Sequence, residues 1–155
     1  MSIQVNQLAP DFTLVNTDKQ NVTLSEMKGK NVVILFFPFA FTSVCTAELC
    51  DVRDNYHAYQ NLNAEILAIS VDSVFTLDKW RNDMNYPFPM LSDFNKEVST
   101  AYDCIYDQFA FGTKGVSKRA AFVVDKNGVI QYAEVLENAG EMPNLEAIRT
   151  CLAAL

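Results

Sequence analysis

Thr42, Cys45 and Cys50 follow closely on an apolar run that stops at Pro38. A β-branched and aromatic run, a polar turn and then a helical pattern put Cys45 in the first turn of a helix. Unpaired backbone N–H groups and the positive end of the helix dipole favour an anion there. Thiols in such surroundings ionise below the free-cysteine value of about 8.5, and the thiolate is the nucleophilic form. Thr42, three residues earlier, can turn its hydroxyl toward the sulfur or a bound oxygen, and it can also cap the helix. Pro38 lacks a backbone donor, which keeps its loop out of a sheet ladder. No glycine lies between Pro38 and Cys50, so the loop does not read as a phosphate cradle.

The chain has four cysteines, Cys45, Cys50, Cys104 and Cys151, and one histidine, His57. No C-x-x-C pair occurs, and a single histidine cannot complete a zinc site by spacing, so no metal is expected. At 155 residues the chain is long enough to build its core without disulfide staples. One domain spanning 1–155 is expected from that length. Cys104 and Cys151 read as packing residues, with Cys104 kept as an alternative partner for Cys45. His57 reads as a solvated or packing residue. The net charge is −7 with the acids dispersed, which argues against a nucleic-acid partner or an anionic membrane surface. The apolar run 32–41 is too short to span a bilayer, and the first fifteen residues carry no basic residue of a signal peptide. A cytoplasmic location is the resulting expectation.

These residues need a scaffold. Alternation over 11–15 and 22–24 around a polar turn predicts an N-terminal hairpin. The runs 31–37, 64–71 and 120–125 predict strands buried on both faces. Asn127-Gly128 then turns the chain into a partner strand over 129–135. Helices are predicted from Thr42 or Ser43 to about 59, over 73–85 and 95–101, and over 143–154. Trp80 shares an apolar helical face with Leu77 and reads as core. The alternation of strands and helices predicts an α/β sandwich around a central mixed β-sheet. Its ligand-binding edge lies at the carboxyl ends of the buried strands, where Cys45 falls.

Pro38, Thr42 and Cys45 together resemble the P-x3-T-x2-C signature of the peroxiredoxins, and Glu48 matches the acid that follows that cysteine. Ala9-Pro10-Asp11-Phe12 resembles the start of that family, and the segment from Ser117 to Asp125 resembles its late strand. The resemblance covers essentially the whole chain and implies a thioredoxin-like fold. It also implies that Arg119 completes the site, with Glu48 as a supporting partner for such an arginine. The implied function is a thiol-dependent peroxidase acting on hydrogen peroxide or organic hydroperoxides through a sulfenic acid on Cys45. No cofactor is implied, because the thiolate supplies both electrons. The implied partners are a peroxide and a thiol reductant such as thioredoxin or a glutaredoxin-like protein.

Cys45-x4-Cys50 resembles the bacterioferritin-comigratory branch, which makes Cys50 the candidate resolving thiol. Phe39-Ala40-Phe41-Thr42 is closer to the one-cysteine branch related to alkyl hydroperoxide reductase E. Five helical residues separate Cα atoms by roughly 8 to 9 Å, beyond the ~7 Å that a disulfide bridges. A Cys45–Cys50 bond therefore requires the helix start to unwind. The aromatic loop over 105–111 reads either as core cover or as the surface of a homodimer. Two rival functions stand beside the peroxidase. A redox sensor or chaperone would use Cys45 oxidation as a switch, and a general thiol-disulfide oxidoreductase would need the missing C-x-x-C.

Overall fold

The computed structural model describes residues 2–155. Its organising strand is β3 (Asn31–Phe36), buried at every residue. Side chains alternate across a strand, so this sequence feeds two apolar layers at once. Val33 and Leu35, with Phe37 just beyond, enter one layer, while Val32, Ile34 and Phe36 enter the other. Uniformly apolar strands of this kind belong at the centre of a sheet covered on both faces.

The remaining strands assemble around it. β4 (Ala64–Ser70) runs parallel to β3, and β5 (Met90–Ser92) runs parallel to β4. β6 (Arg119–Val124) lies antiparallel on the other side of β3 and pairs with β7 (Ile130–Leu136). The turn between them passes through Gly128 at φ 82°, a conformation that favours glycine. The predicted N-terminal hairpin is present as β1 (Thr13–Asn16) and β2 (Asn21–Thr23), and β1 joins β5. The result is one seven-stranded mixed sheet in the order β2-β1-β5-β4-β3-β6-β7.

One face of that sheet is packed by α1 (Ser43–Asp54), α2 (Tyr56–Asn61), α3 (Val74–Met84) and α5 (Leu145–Ala153), through Leu49, Tyr59, Trp80 and Ile148. The opposite face is covered by Phe12 and Leu24 from the N-terminal region and by Val98 and Tyr102 in and after α4 (Glu97–Ala101). The expected α/β layering is what the chain adopts.

Three local expectations are corrected. The helix predicted from Thr42 or Ser43 to about 59 breaks at Asn55, which has φ −108° and ψ 13°. Its backbone N–H and side-chain amide both donate to the Asp51 carbonyl, so the asparagine caps one helix and starts the next. β5 went unpredicted because three residues directly after Pro87 and Pro89 carry too little pattern. The last helix begins at Leu145 rather than Pro143, because the Asn144 side chain accepts the Ala147 N–H at 2.9 Å.

Trp80 is 1% exposed, and its ring centroid lies 5.4 Å from Phe37, 5.2 Å from Tyr86 and 6.1 Å from Phe41. It pins α3 to the end of β3. Truncation to alanine removes these contacts and leaves a cavity, a loss of about 3–5 kcal/mol by the usual cost of large-to-small core changes. Urea unfolding of Trp80→Ala, followed by far-ultraviolet circular dichroism, checks that figure.

Candidate active site

Two chain segments distant in sequence meet at the carboxyl end of β3. The chain leaves β3 through Phe37, whose N–H still donates to the Ile69 carbonyl, and turns at Pro38 into α1. Because β6 runs antiparallel to β3, with Ala120 opposite Phe36, its first residue Arg119 arrives at the same end. Alternation along β6 sends Ala121 and Val123 toward the α1 layer and Ala120 and Phe122 away from it. Arg119 therefore shares the face of Cys45.

In α1 the first intrahelical hydrogen bond runs from the Thr46 N–H to the Thr42 carbonyl, 2.9 Å. The N–H groups of Ser43, Val44 and Cys45 precede the ladder and turn toward the helix start. Cys45 is 1% exposed and lies on the buried face with Leu49 and Val52. Glu48, one turn further on, shares that face and is fully buried.

Arg119 joins all of these groups. Its Nη2–H donates to Cys45 Sγ at 3.2 Å, and its Nη1–H donates to Glu48 Oε1 at 2.8 Å. Nε and Nη2 both donate to the Ala139 carbonyl, at 3.2 and 2.9 Å. That carbonyl comes from the loop after β7, which folds back over the guanidinium. Burial alone would depress the Arg119 pKa, but the Cys45 sulfur and Glu48 carboxylate hold it above its ordinary value. Glu48 moves the other way. Burial pushes its pKa up to about 7, outweighing the opposing pull of Arg119. Its second oxygen, Oε2, is buried without a hydrogen-bond partner.

The loop before the helix is unusual in its backbone. Phe41 has φ 64°, in the left-handed region that bulky side chains avoid, and its half-exposed ring leans on Trp80. Thr42 occupies the cap position but does not cap. Its hydroxyl donates instead to the Phe39 carbonyl at 2.8 Å. The Ala40 N–H is taken by Asp72 Oδ2 at 2.8 Å, from just beyond the end of β4. Burial pushes the Asp72 pKa up in spite of its bonds from Ser70 and Ala40. A cavity of about 240 Å³ opens over the sulfur, lined by Pro38, Phe39, Thr42, Val44, Phe109 and Arg119 among others.

Pro38, Thr42, Cys45, Glu48 and Arg119 are thus brought together in space. Cys50 lies on α1 with its sulfur 3.8 Å from the Tyr86 hydroxyl, half-buried. Cys104 is fully buried in the layer on the other side of the sheet from Cys45, and burial pushes its pKa up. That placement removes it as an alternative partner for Cys45. Cys151 packs on α5 with its sulfur against the Gln131 carbonyl, and His57 is exposed on α2. Among the described residues, no group of three or more His, Cys, Asp or Glu side chains is arranged to hold a metal ion. The sequence reading missed Asp72 and the Ala139 carbonyl. An aspartate just past the end of a buried parallel strand was the available signal for the first; a backbone carbonyl leaves none.

A buried thiol paired with an arginine at the start of a helix thus sits on a thioredoxin-like α/β sheet. Residues 5–133 match the AhpC/TSA family, and the chain belongs to it. It is 39% identical to alkyl hydroperoxide reductase E of Mycobacterium tuberculosis, covering 99% of this chain and 98% of that one. Peroxidoxin BcpB of Mycobacterium tuberculosis has the same fold, with a TM-score of 0.87 at 24% identity over 99% of this chain and 98% of that one. Bacterioferritin comigratory protein of Xanthomonas campestris superimposes with a TM-score of 0.81 at 26% identity, over 92% of this chain and 90% of that one. The protein is an enzyme that reduces hydroperoxides through a cysteine sulfenic acid.

Glu48 makes stability depend on pH in a definite direction. Its carboxyl stays protonated in the fold up to about 7 but ionises at about 4.5 in the unfolded chain. Between those values the folded state holds one more proton, so its stability falls as pH rises. Glu48→Gln removes that dependence. Denaturation at several pH values should show the glutamine variant gaining on the parent from about pH 4.5 to about pH 7, then keeping a constant difference from it.

Proposed function

We propose that Cys45 is the attacking thiol of this peroxidase, with Arg119, Thr42 and Pro38 as its working partners. The observation that carries the reading is the Arg119 Nη2–H bond to the Cys45 sulfur, 3.2 Å, in a cavity open to a small substrate. The thiolate attacks the terminal oxygen of a hydroperoxide. An S–O bond forms, the O–O bond breaks, and sulfur loses the two electrons that the peroxide gains. Cys45 becomes a sulfenic acid, and the departing oxygen takes a proton to leave as water or an alcohol. Arg119 carries fixed positive charge beside the reacting sulfur and can donate to oxygen as the O–O bond lengthens. The Thr42 hydroxyl donates to Phe39, which leaves its lone pairs free to accept from the peroxide O–H. Pro38 shapes the wall, and Glu48 orients the guanidinium from behind.

Phe39, Val44 and Phe109 give the cavity an apolar side. That side supports alkyl hydroperoxides as substrates beside hydrogen peroxide, in keeping with the name of the mycobacterial relative. The reductant is a dithiol protein of the thioredoxin or glutaredoxin kind, which a cytoplasmic location supplies. A second copy of the chain is the proposed partner at the aromatic loop 105–111. There Tyr106 and Phe109 stack at 4.9 Å while Phe111 stands fully exposed.

Cys50 is the proposed resolving thiol. It attacks the sulfenic sulfur, forms a disulfide and releases water. Both thiols are free and held on an intact α1. Regular helical spacing keeps Cα atoms five residues apart at roughly 8–9 Å, too far for a disulfide, so the start of α1 must unwind once per cycle.

One equivalent of cumene hydroperoxide, followed by rapid-mixing kinetics and peptide mass spectrometry, tests the first part. Oxidation should be fast, confined to Cys45 and lost in Cys45→Ser. Arg119→Gln should slow it by about 100-fold, the usual cost of losing one charge-stabilising donor. Oxidation no faster than that of a free thiol, or spread over all four cysteines, would contradict the assignment. In the same digests, a Cys45–Cys50 bridge should dominate the oxidised parent. Cys50→Ser should stall with a sulfenic acid on Cys45 that dimedone traps.

A further inference from the structure

Ala40 lies in the loop that delivers Thr42 to the cavity, and it is 8% exposed. A buried backbone N–H must find an acceptor, or it gives up its solvation with nothing in return. Here the acceptor is a side chain from another element, Asp72 Oδ2 at 2.8 Å. The same oxygen accepts the Ser70 hydroxyl at 2.7 Å, and Ser70 Oγ in turn accepts the Asp72 N–H at 3.2 Å. Ser92 on β5 donates its hydroxyl to the Asp72 carbonyl at 2.6 Å. Asp72 is therefore fixed by β4 and β5 before it reaches the loop.

What it holds is a strained segment. Phe41, directly after Ala40, sits at φ 64°. A bulky residue in the left-handed region is strained and persists only where its surroundings over-determine it. Three contacts do so: the Asp72 bond at Ala40, the Phe41 ring against Trp80, and the Thr42 hydroxyl on Phe39. Without the first, the Ala40 peptide can rotate toward water and Phe41 can relax to an ordinary conformation. Thr42 would then leave its place in the wall of the cavity that holds the Cys45 sulfur. Cys45 and Arg119, anchored in α1 and β6, would stay where they are.

We infer that Asp72 is a positioning residue for the peroxidase reaction, holding the Ala40 peptide so that Thr42 presents its oxygen to the substrate. The inference rests on the assignment of Cys45 and Thr42 made above. Its mark is selectivity. Peroxide attack needs Thr42 in place, whereas alkylation of Cys45 by iodoacetamide needs only a reactive, accessible sulfur.

The test measures both rates on the same reduced protein. Asp72→Ala should lower the second-order rate with cumene hydroperoxide by about 100-fold, the scale expected for an ångström of misplacement. Its iodoacetamide rate should change by less than about twofold, since nothing in the thiol's own surroundings is altered. Asp72→Asn keeps an oxygen acceptor for Ala40 and Ser70, and should recover most of the peroxide rate. If Asp72→Ala does not fold, Asp72→Ser supplies a polar side chain too short to reach Ala40 and should show the same selective loss. An unchanged peroxide rate in the folded variant, an equal fall in both rates, or an asparagine variant as slow as the shortened one would overturn the role. Failure of the parent assignment shows elsewhere: the unmodified protein would then react with peroxide no faster than a free thiol, and this role would fall with it.

Discussion

The site depends on one buried cation. Arg119 is 2% exposed, and a guanidinium removed from water is tolerable only when its donors are met. The chain meets them from three directions: a thiol and a carboxyl one helical turn apart on α1, and a carbonyl from the loop after β7. The partners come from two separate stretches of sequence, α1 and the loop after β7, so the charge and the fold specify one another. The loop at Ala139 is likewise drawn inward by the donors it satisfies.

The same arrangement accounts for the tension at Glu48. Its charge would suit Arg119, yet full burial with one oxygen unpartnered makes the ionised form costly. A carboxyl that titrates near neutrality can alternate between ion-pair and neutral partner without leaving its place. The net charge beside the sulfur then varies around pH 7. A permanently ionised partner would offset the guanidinium charge more completely, and a permanently neutral one would leave it unopposed.

Much of this was legible in the sequence, for a physical reason. A cysteine at a helix start after a buried strand is a local arrangement, written in consecutive residues from Pro38 to Cys50. The sheet was legible because uniformly apolar runs such as 31–37 can lie only at its centre. Arg119 was reached through family resemblance, since its place beside Cys45 arises from the antiparallel register of β6 on β3, seventy-odd residues away. What stayed hidden acts through the backbone or through short patterns. Asp72 works on a peptide N–H, Ala139 contributes only a carbonyl, and β5 has three residues. The break at Asn55 was missed because the apolar face continues through it to Tyr59, while the asparagine folds its own amide back on the helix end.

Trp80 is the only tryptophan in the chain, and it stands between two segments next to the site. Phe41, on one side of it, belongs to the strained loop that carries Thr42. Tyr86, on another, shares its hydroxyl with Cys50. Loosening of the loop and unwinding of the helix therefore both alter the surroundings of one indole. The chain thus carries its single indole between the loop of Thr42 and the tyrosine that touches Cys50, where tryptophan emission reports on both without a label.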